Sequence, residues 1–128
     1  MILLLDTSTS ECQVVLVDGE QRHRFVWQAD RDLAHRLLRF INECLDEHSS
    51  TLEQLDGLGV LRGPGSFTGL RIGITTLNTI ADSVKIPIVG VLGENWQDEA
   101  VRRLDANEND RIVLPEYGRD ARITKPRK

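Results

Sequence analysis

The apolar residues in the first third of the chain follow the patterns of β-strands. Residues 2–5 form an apolar run that ends in polar residues, which predicts a buried strand and a turn. Residues 12–17 form a second run, closed by Asp18-Gly19, a dipeptide typical of hairpins. Residues 22–28 alternate polar and apolar side chains, as expected for a third, antiparallel and more exposed strand.

The middle of the chain changes to the 3.6-residue period of amphipathic helices. Residues 33–48 and 67–84 each carry this period, and residues 58–61 between them read as a short strand. Residues 86–91 predict a fifth strand, and Pro87 at its start favours an edge position. The order β-β-β-α-β-α-β predicts a mixed five-stranded sheet of the α/β class, antiparallel at first and parallel later, with both helices on one side.

The last third of the chain carries weaker patterns. Residues 95–104 predict a C-terminal helix, with Asn95 as its N-cap. Residues 112–114 suit a small strand. Residues 115–128 are rich in basic side chains and predict an extended, partly disordered tail.

Length and composition narrow the class of protein. The chain has 128 residues, enough for one domain with a modest core, and a net charge of −4. That charge argues against a protein whose main affinity is for nucleic acid. Asp6 interrupts the N-terminal apolar run early, so we expect no signal peptide, no membrane span and a cytoplasmic protein.

Cys12 and Cys44 fall in buried patterns and are interpreted as core thiols in a reducing compartment.

Candidate chemistry centres on the stretch RGPGSFTGLRIGI, residues 62–74. Backbone amides at a helix N-terminus attract anions, and glycines let a phosphate come close. This interpretation predicts a nucleotide site made of Asp6, Thr7, Ser8, Gly65 and Ser66. However, the stretch has neither the spacing of a P-loop nor that of a dinucleotide-binding loop. The three histidines are too scattered along the sequence to suggest a metal site, so neither a metal nor a cofactor is predicted.

The same glycines also fit a packing role. Gly65, Gly69 and Gly73 recur every four residues and so line one ridge of a helix. Glycine inside a helix costs about 1 kcal/mol relative to alanine, which favours a ridge kept bare for close contact. We therefore expect the ridge to receive a helix of another protein. On this view Gly73→Leu leaves the chain folded and blocks pairing.

The motifs together resemble a known family. The segments LLLDTSTSECQVVLVDG, HRLLRFINECL, GLGVLRGPGSFTGLRIGITT and IPIVGV are similar to the TsaB (YeaZ) family over residues 2–91. The resemblance implies a single actin-like, sugar-kinase-like ATPase lobe, in agreement with the predicted order of elements. It also implies a non-catalytic scaffold that pairs with TsaD, the protein that transfers a threonylcarbamoyl group to adenosine in tRNA.

The resemblance implies further partners and a surface for them. TsaE belongs to the same complex, tRNA is reached indirectly through that complex, and the same surface supports a homodimer when TsaD is absent. The partner-binding residues carried over are Leu37, Leu38, Phe40, Ile41, Leu70, Arg71, Ile72, Gly73 and Thr76.

The chain also departs from the family pattern. Members usually carry a second lobe, so the chain is interpreted as a short form, with an N-terminal lobe at residues 1–91. Residues 92–110 form a helix and loop in place of the second lobe, and residues 111–128 form a C-terminal tail. Two alternatives stay open: a weak ATPase or phosphotransferase, and direct tRNA contact through the tail. The tail residues are Arg119, Arg122, Lys125, Arg127 and Lys128.

Overall fold

The computed structural model describes residues 1–116. Five strands form one sheet: β1 (Ile2–Asp6), β2 (Glu11–Asp18), β3 (Gln21–Gln28), β4 (Gly57–Gly63) and β5 (Ile88–Leu92). Three helices accompany them: α1 (Leu33–Glu47), α2 (Phe67–Val84) and α3 (Trp96–Asp105). The five predicted strands of the sheet, the two long helices and the C-terminal helix are confirmed, with bounds that differ by at most two residues.

The sheet is mixed, as predicted. Its strand order is β3-β2-β1-β4-β5. β1 and β3 run antiparallel to β2. β4 runs parallel to β1 and to β5. The change of direction follows the connections, because a hairpin joins antiparallel strands whereas a helix must return the chain between parallel ones. The second hairpin, between β2 and β3, turns where predicted, and Gly19 takes the left-handed backbone conformation there, with φ of +64°.

The helices lie on opposite faces of the sheet. α1 and α2 pack on one face, as predicted, in a core that includes Leu5 and Val14. α3 packs on the other face, against the alternate side chains Leu4 and Val89. This division follows from the strand geometry, since successive side chains point to opposite faces. Lys85 follows the last residue of α2 and takes a left-handed backbone conformation. Its amide donates a hydrogen bond to the Ala81 carbonyl, which closes the last turn of the helix.

Two predictions for the last third are wrong in detail. Asn95 lies at the N-cap of α3, but its side chain forms no capping hydrogen bond. Residues 112–114 form no strand; instead the side chain of Asn78 on α2 bonds both backbone groups of Val113, at 3.0 Å to its carbonyl and 2.9 Å from its amide. The tail residues from 117 to 128 lie outside the described part. None of the helices in residues 1–116 is both long and apolar enough to cross a membrane.

The two cysteines are buried in the core, as interpreted from the sequence. Cys12 is 1% exposed and Cys44 is 2% exposed, and both are free thiols. Burial, with a smaller contribution from the Asp6 carboxylate, raises the pKa of Cys12 to about 12. Burial, reinforced by Cys12 and the nearby Glu47 and Glu43, raises the pKa of Cys44 to about 12 as well.

We expect both thiols to resist alkylation while the protein is folded. The thiolate is the reactive form, and a pKa of about 12 leaves almost none of it at pH 8. Iodoacetamide at pH 8, followed by mass spectrometry, should modify neither cysteine in buffer and both in concentrated urea. Rapid modification of the native protein at Cys12 or Cys44 would contradict the burial described here.

Candidate partner-binding surface

The glycines of α2 pack against the turn that follows β1. A Cβ atom built on Gly73 would lie 2.2 Å from Thr7 Oγ1, and one built on Gly69 would lie 2.3 Å from the Thr7 carbonyl oxygen. A Cβ atom on Gly65 would lie 2.5 Å from Ser8 Cβ. Real Cβ atoms do not come this close to other atoms, so all three positions need glycine. The bare ridge therefore receives the chain's own turn, and the expectation that it receives another protein's helix is wrong.

Thr7 is the centre of this contact. Its side chain is fully buried, and its hydroxyl donates a hydrogen bond of 2.7 Å to the Gly69 carbonyl on α2. Next to it, the Ser66 amide donates to the Ser8 carbonyl at 2.8 Å. The turn is closed from the other side by Asp6, whose Oδ1 accepts from the Ser8 amide and hydroxyl at 2.8 and 2.6 Å. The turn and the start of α2 thus form one hydrogen-bonded unit.

This unit occupies the position where the sequence suggested a nucleotide site. The structure does bring Asp6, Thr7, Ser8, Gly65 and Ser66 together, but they contact one another. The Thr7 hydroxyl is unavailable to a phosphate because it is buried and bonded. The Ser66 side chain caps α2 by accepting from the Gly69 amide at 3.3 Å. The five residues are therefore arranged to hold α2 on the sheet, which corrects the phosphate-binding interpretation.

Four of the nine predicted partner-binding residues belong to the chain's own core. Leu37 and Ile41 of α1 and Leu70 of α2 are 1%, 0% and 0% exposed. Gly73 is also buried, against Thr7. The three apolar side chains face the sheet, and Gly73 is closed off by Thr7, so these four residues cannot contact a partner and the four assignments are wrong. Their helical period was identified correctly, but the period marks the inward face of each helix.

The other five residues are accessible, but they do not form one surface. Phe40 is half-buried on the β3 side of α1, where its ring packs against Trp27 at 5.3 Å. Leu38 is 49% exposed. On α2, Ile72 and Thr76 are half-buried and Arg71 is exposed. Phe40 therefore lies apart from the other accessible residues, beside β3. Leu38, Arg71, Ile72 and Thr76 stay candidates for a shared interface.

A groove between α1 and α2 joins the accessible residues. It has a volume of about 400 Å³, and Ala34 lines it from α1. Leu38 follows Ala34 by one helical turn and extends the same flank. Seven residues line the groove: Ala34, Phe67, Thr68, Arg71, Ile72, Thr75 and Thr76. We define the helix-pair surface as these seven residues together with the exposed Leu38.

The helix-pair surface combines apolar and cationic character. Phe67 is 54% exposed, and the Arg71 guanidinium lies 5.4 Å from the centre of its ring. Exposed large apolar side chains that cluster around a groove are typical of protein-binding surfaces. The sequence analysis missed Ala34, Phe67, Thr68 and Thr75. Each lies four residues from a residue that was identified, namely Leu38, Arg71 or Ile72, and residues at that spacing are neighbours on a helix surface.

Two of the three histidines lie together in the structure, although they are far apart in the sequence. The rings of His23 and His48 are 4.2 Å apart, and Phe25 contacts His48 edge-on at 5.7 Å. His48 Nδ1 is buried without a hydrogen-bond partner among residues 1–116. Within those residues no group of three His, Cys, Asp or Glu side chains is placed to hold a metal ion.

Comparison with known proteins shows that the chain is similar to proteins named for tRNA modification. A sequence model described as "TsaD: tRNA N6-adenosine threonylcarbamoyltransferase" matches residues 27–93. The tRNA threonylcarbamoyladenosine biosynthesis protein TsaB of Haemophilus influenzae is 33% identical over 108 residues, or 84% of this chain and 46% of that protein. The solved structure of YeaZ from Pseudomonas aeruginosa superposes with a TM-score of 0.68 at 32% identity, over 81% of this chain and 49% of that one.

The chain belongs to the TsaB (YeaZ) family. The actin-like ATPase fold predicted for it is therefore confirmed. A tRNA N6-adenosine threonylcarbamoyltransferase, that of Trichlorobacter lovleyi, is 33% identical over 63 residues, or 49% of this chain and 18% of that protein. Both the TsaB proteins and this transferase are therefore similar in sequence to the chain. The chain spans less than half the length of the TsaB relatives that it matches.

Proposed function

We propose that the chain is a non-catalytic scaffold subunit in threonylcarbamoyl transfer to adenosine of tRNA, and that it pairs with TsaD. The proposal rests on the match to the H. influenzae TsaB, a protein named for threonylcarbamoyladenosine biosynthesis, over 84% of this chain. TsaE in the same complex, indirect contact with tRNA and a cytoplasmic location are parts of the same proposal. So is the division into a lobe at residues 1–91, a segment at 92–110 and a tail beyond.

The helix-pair surface is the proposed site of pairing. Leu38 and Phe67 expose about half of their side chains at its two helices, so a partner would bury apolar area there. Arg71 stands beside Phe67 and is exposed, which suits a carboxylate at the rim of the partner. The same surface is proposed for a homodimer, so a second copy and TsaD would compete for it.

The non-catalytic role is supported by the contacts of the turn after β1. Asp6 Oδ1 accepts two hydrogen bonds from Ser8, and the Thr7 hydroxyl donates one to the Gly69 carbonyl. A phosphoryl-transfer site needs groups free to orient a phosphate and its metal. In this turn those groups hold the fold together instead.

Reconstitution with TsaD tests the proposal. We expect the purified chain to form a complex with TsaD on size-exclusion chromatography and to raise threonylcarbamoyl incorporation into tRNA in the presence of TsaE. The chain alone should hydrolyse no ATP above the buffer blank. Robust hydrolysis by the chain alone, abolished in a folded Asp6→Ala variant, would replace the scaffold with an enzyme. Absence of any complex would remove TsaD as the partner.

A further inference from the structure

A second groove continues the helix-pair surface beyond the start of α2. It has a volume of about 630 Å³, and its walls come from the turn after β1, the loop between β3 and α1, and the start of α2. The two grooves share Thr68 and Ile72, so they form one continuous depression. We term the second part the loop groove; besides the shared residues, its walls include Ser10, Asp30, Arg31 and Ser66.

The charge of this depression is opposite in sign to that of the protein around it. The chain has 16 basic and 20 acidic side chains, and five of the bases and one of the acids belong to residues 117–128. Residues 1–116 therefore carry eight more acidic than basic side chains. By contrast, the charged residues that line the two grooves are two arginines, Arg31 and Arg71, and one acid, Asp30. A basic depression in an acidic protein indicates an acidic partner.

Both arginines are available to such a partner. They are exposed, and within residues 1–116 neither guanidinium forms an ion pair. Arg71 lies over the ring of Phe67, a contact that orders the guanidinium and leaves its N–H donors free. The acid Asp30 is already engaged, because its Oδ1 accepts a hydrogen bond from Gln28 Nε2 at 2.9 Å. The depression therefore offers two unneutralised cations.

The apolar residues beside these cations favour a protein segment as the occupant. Leu38 and Phe67 expose about half of their side chains on the two flanks of the first groove. Nucleic acid binding depends on many clustered cations, whereas only Arg31 and Arg71 line the two grooves. A second copy of this chain would present the same two arginines, and like charges that face each other across an interface are unfavourable.

We propose that the partner segment seated in the two grooves is acidic, and that its carboxylates pair with Arg71 and Arg31. This proposal rests on the function proposed above, in which the partner is TsaD. Apolar side chains of the segment contact Leu38 and Phe67, and its carboxylates bind the guanidinium groups, whose planar donors match a carboxylate. The interface therefore extends from the helix-pair surface across the start of α2 into the loop groove.

The test compares Arg71→Gln and Arg31→Gln with Arg36→Gln, the matched control. Arg36 is also exposed and forms no ion pair within residues 1–116, so all three variants change the net charge equally. It lies on the other flank of α1, in a separate groove beside Trp27 and Phe40. Isothermal titration calorimetry measures the affinity for TsaD at about 50 mM and about 500 mM sodium chloride. Thermal unfolding checks the fold.

We expect Arg71→Gln and Arg31→Gln each to weaken binding to TsaD roughly tenfold at the lower salt concentration, because each loses a hydrogen bond between charged groups. The affinity of the parent should fall as the salt concentration rises. That of each variant should fall less, since salt screens the pairs that the variants lack. Arg36→Gln should bind as the parent does, and all three variants should unfold at the temperature of the parent.

A cross-linking experiment identifies the carboxylates directly. Arg71→Lys keeps the positive charge and adds a primary amine, which a carbodiimide couples to a carboxylate in contact with it. Mass spectrometry of the complex should find position 71 joined to an aspartate or glutamate of TsaD, and Arg31→Lys should give a second such product. Arg36→Lys should give none.

The results separate this proposal from the proposed function. Affinities of Arg71→Gln and Arg31→Gln equal to that of the control would overturn the acidic segment and leave the pairing with TsaD intact. A loss at Arg71 alone would overturn the extension into the loop groove. A parent chain that forms no complex at either salt concentration would remove TsaD as the partner, and this proposal with it.

Two further results would assign the grooves to another occupant. Sedimentation velocity of the chain alone would show a second copy as the occupant if it found a dimer that Arg71→Gln dissociates. Binding of tRNA to the chain alone, lost in Arg71→Gln but kept in Arg36→Gln, would assign the cations to RNA. Either result would overturn the proposal, which expects neither.

Discussion

Replacing Gly73 with alanine is expected to destabilise the fold by roughly 2 to 3 kcal/mol, the upper part of the range for overpacked cores. The added methyl group would lie 2.2 Å from Thr7 Oγ1 and 3.0 Å from Thr7 Cγ2. Thr7 has no room to rotate away, because it is fully buried and its hydroxyl is bonded to α2. The gain in helix propensity, about 1 kcal/mol, is too small to offset this clash. Urea denaturation measures the loss.

A double-mutant cycle shows whether Thr7 is the cause. Thr7→Ala removes the two closest atoms and leaves its Cβ at 3.1 Å from the new methyl group. By itself it should cost about 1 kcal/mol, through the lost hydrogen bond. In the Thr7→Ala background, Gly73→Ala should then cost at least about 1 kcal/mol less than in the parent. Thr75→Ala, on the exposed side of α2, is the control and should change stability by less than about 0.5 kcal/mol. Additive effects would show that the crowding lies elsewhere.

Introducing a charge at Leu38 is expected to weaken pairing with TsaD roughly a hundredfold, as at a central interface residue. If TsaD binds the helix-pair surface as proposed above, it contacts Leu38 through apolar groups. Leu38→Glu would then bury an unpaired carboxylate in the interface. The free protein should stay as stable as the parent, because Leu38 is 49% exposed. Isothermal titration calorimetry with TsaD measures the affinity, and thermal unfolding checks the fold.

Leu92→Glu provides the comparison for this measurement. Leu92 is 46% exposed, so the two variants make the same chemical change at nearly the same exposure, but Leu92 lies at the end of β5. It should bind TsaD as the parent does. Equal losses in both variants would indicate a general effect of charge, and an unchanged affinity of Leu38→Glu would exclude the helix-pair surface as the interface.

The fold was predictable because each element carries its own local signal. The apolar runs of β1 and β2 are separated by polar turns, and Asp18-Gly19 closes the hairpin as its sequence indicates. The period of residues 33–48 fixes the inward face of α1, since Leu37 and Ile41 are indeed buried. The order of these elements then predicted the mixed sheet, and the resemblance to TsaB implied the actin-like lobe in agreement with it. The prediction of a strand at residues 112–114 was wrong, because the backbone groups of Val113 bond the Asn78 side chain rather than another strand.

The candidate site was harder to predict because a glycine in a helix indicates close contact but not which element makes that contact. The spacing of Gly69 and Gly73 correctly indicated close contact along one ridge of α2. Whether the contact was a partner helix or the turn at Thr7 depends on tertiary structure, which a helical period does not contain. The resemblance placed Leu70 on the partner surface, whereas its helical period marks the buried face of α2. Exposure, and not apolar character, distinguished Leu38 from Leu37.

The contact between Thr7 and α2 has a consequence for how distant positions communicate. Thr7 acts as a spacer that sets the height of α2 above the sheet, since its carbonyl and side chain touch both Gly69 and Gly73. The adjacent face of that helix carries Ile72 and Thr76, each three residues from one of the two glycines, and both line the groove. A change in the first turn that lifts or tilts α2 therefore alters the width of the groove without any contact to its occupant. We therefore expect a substitution in that turn to change the affinity of the helix-pair surface for its partner, although the turn does not contact the partner.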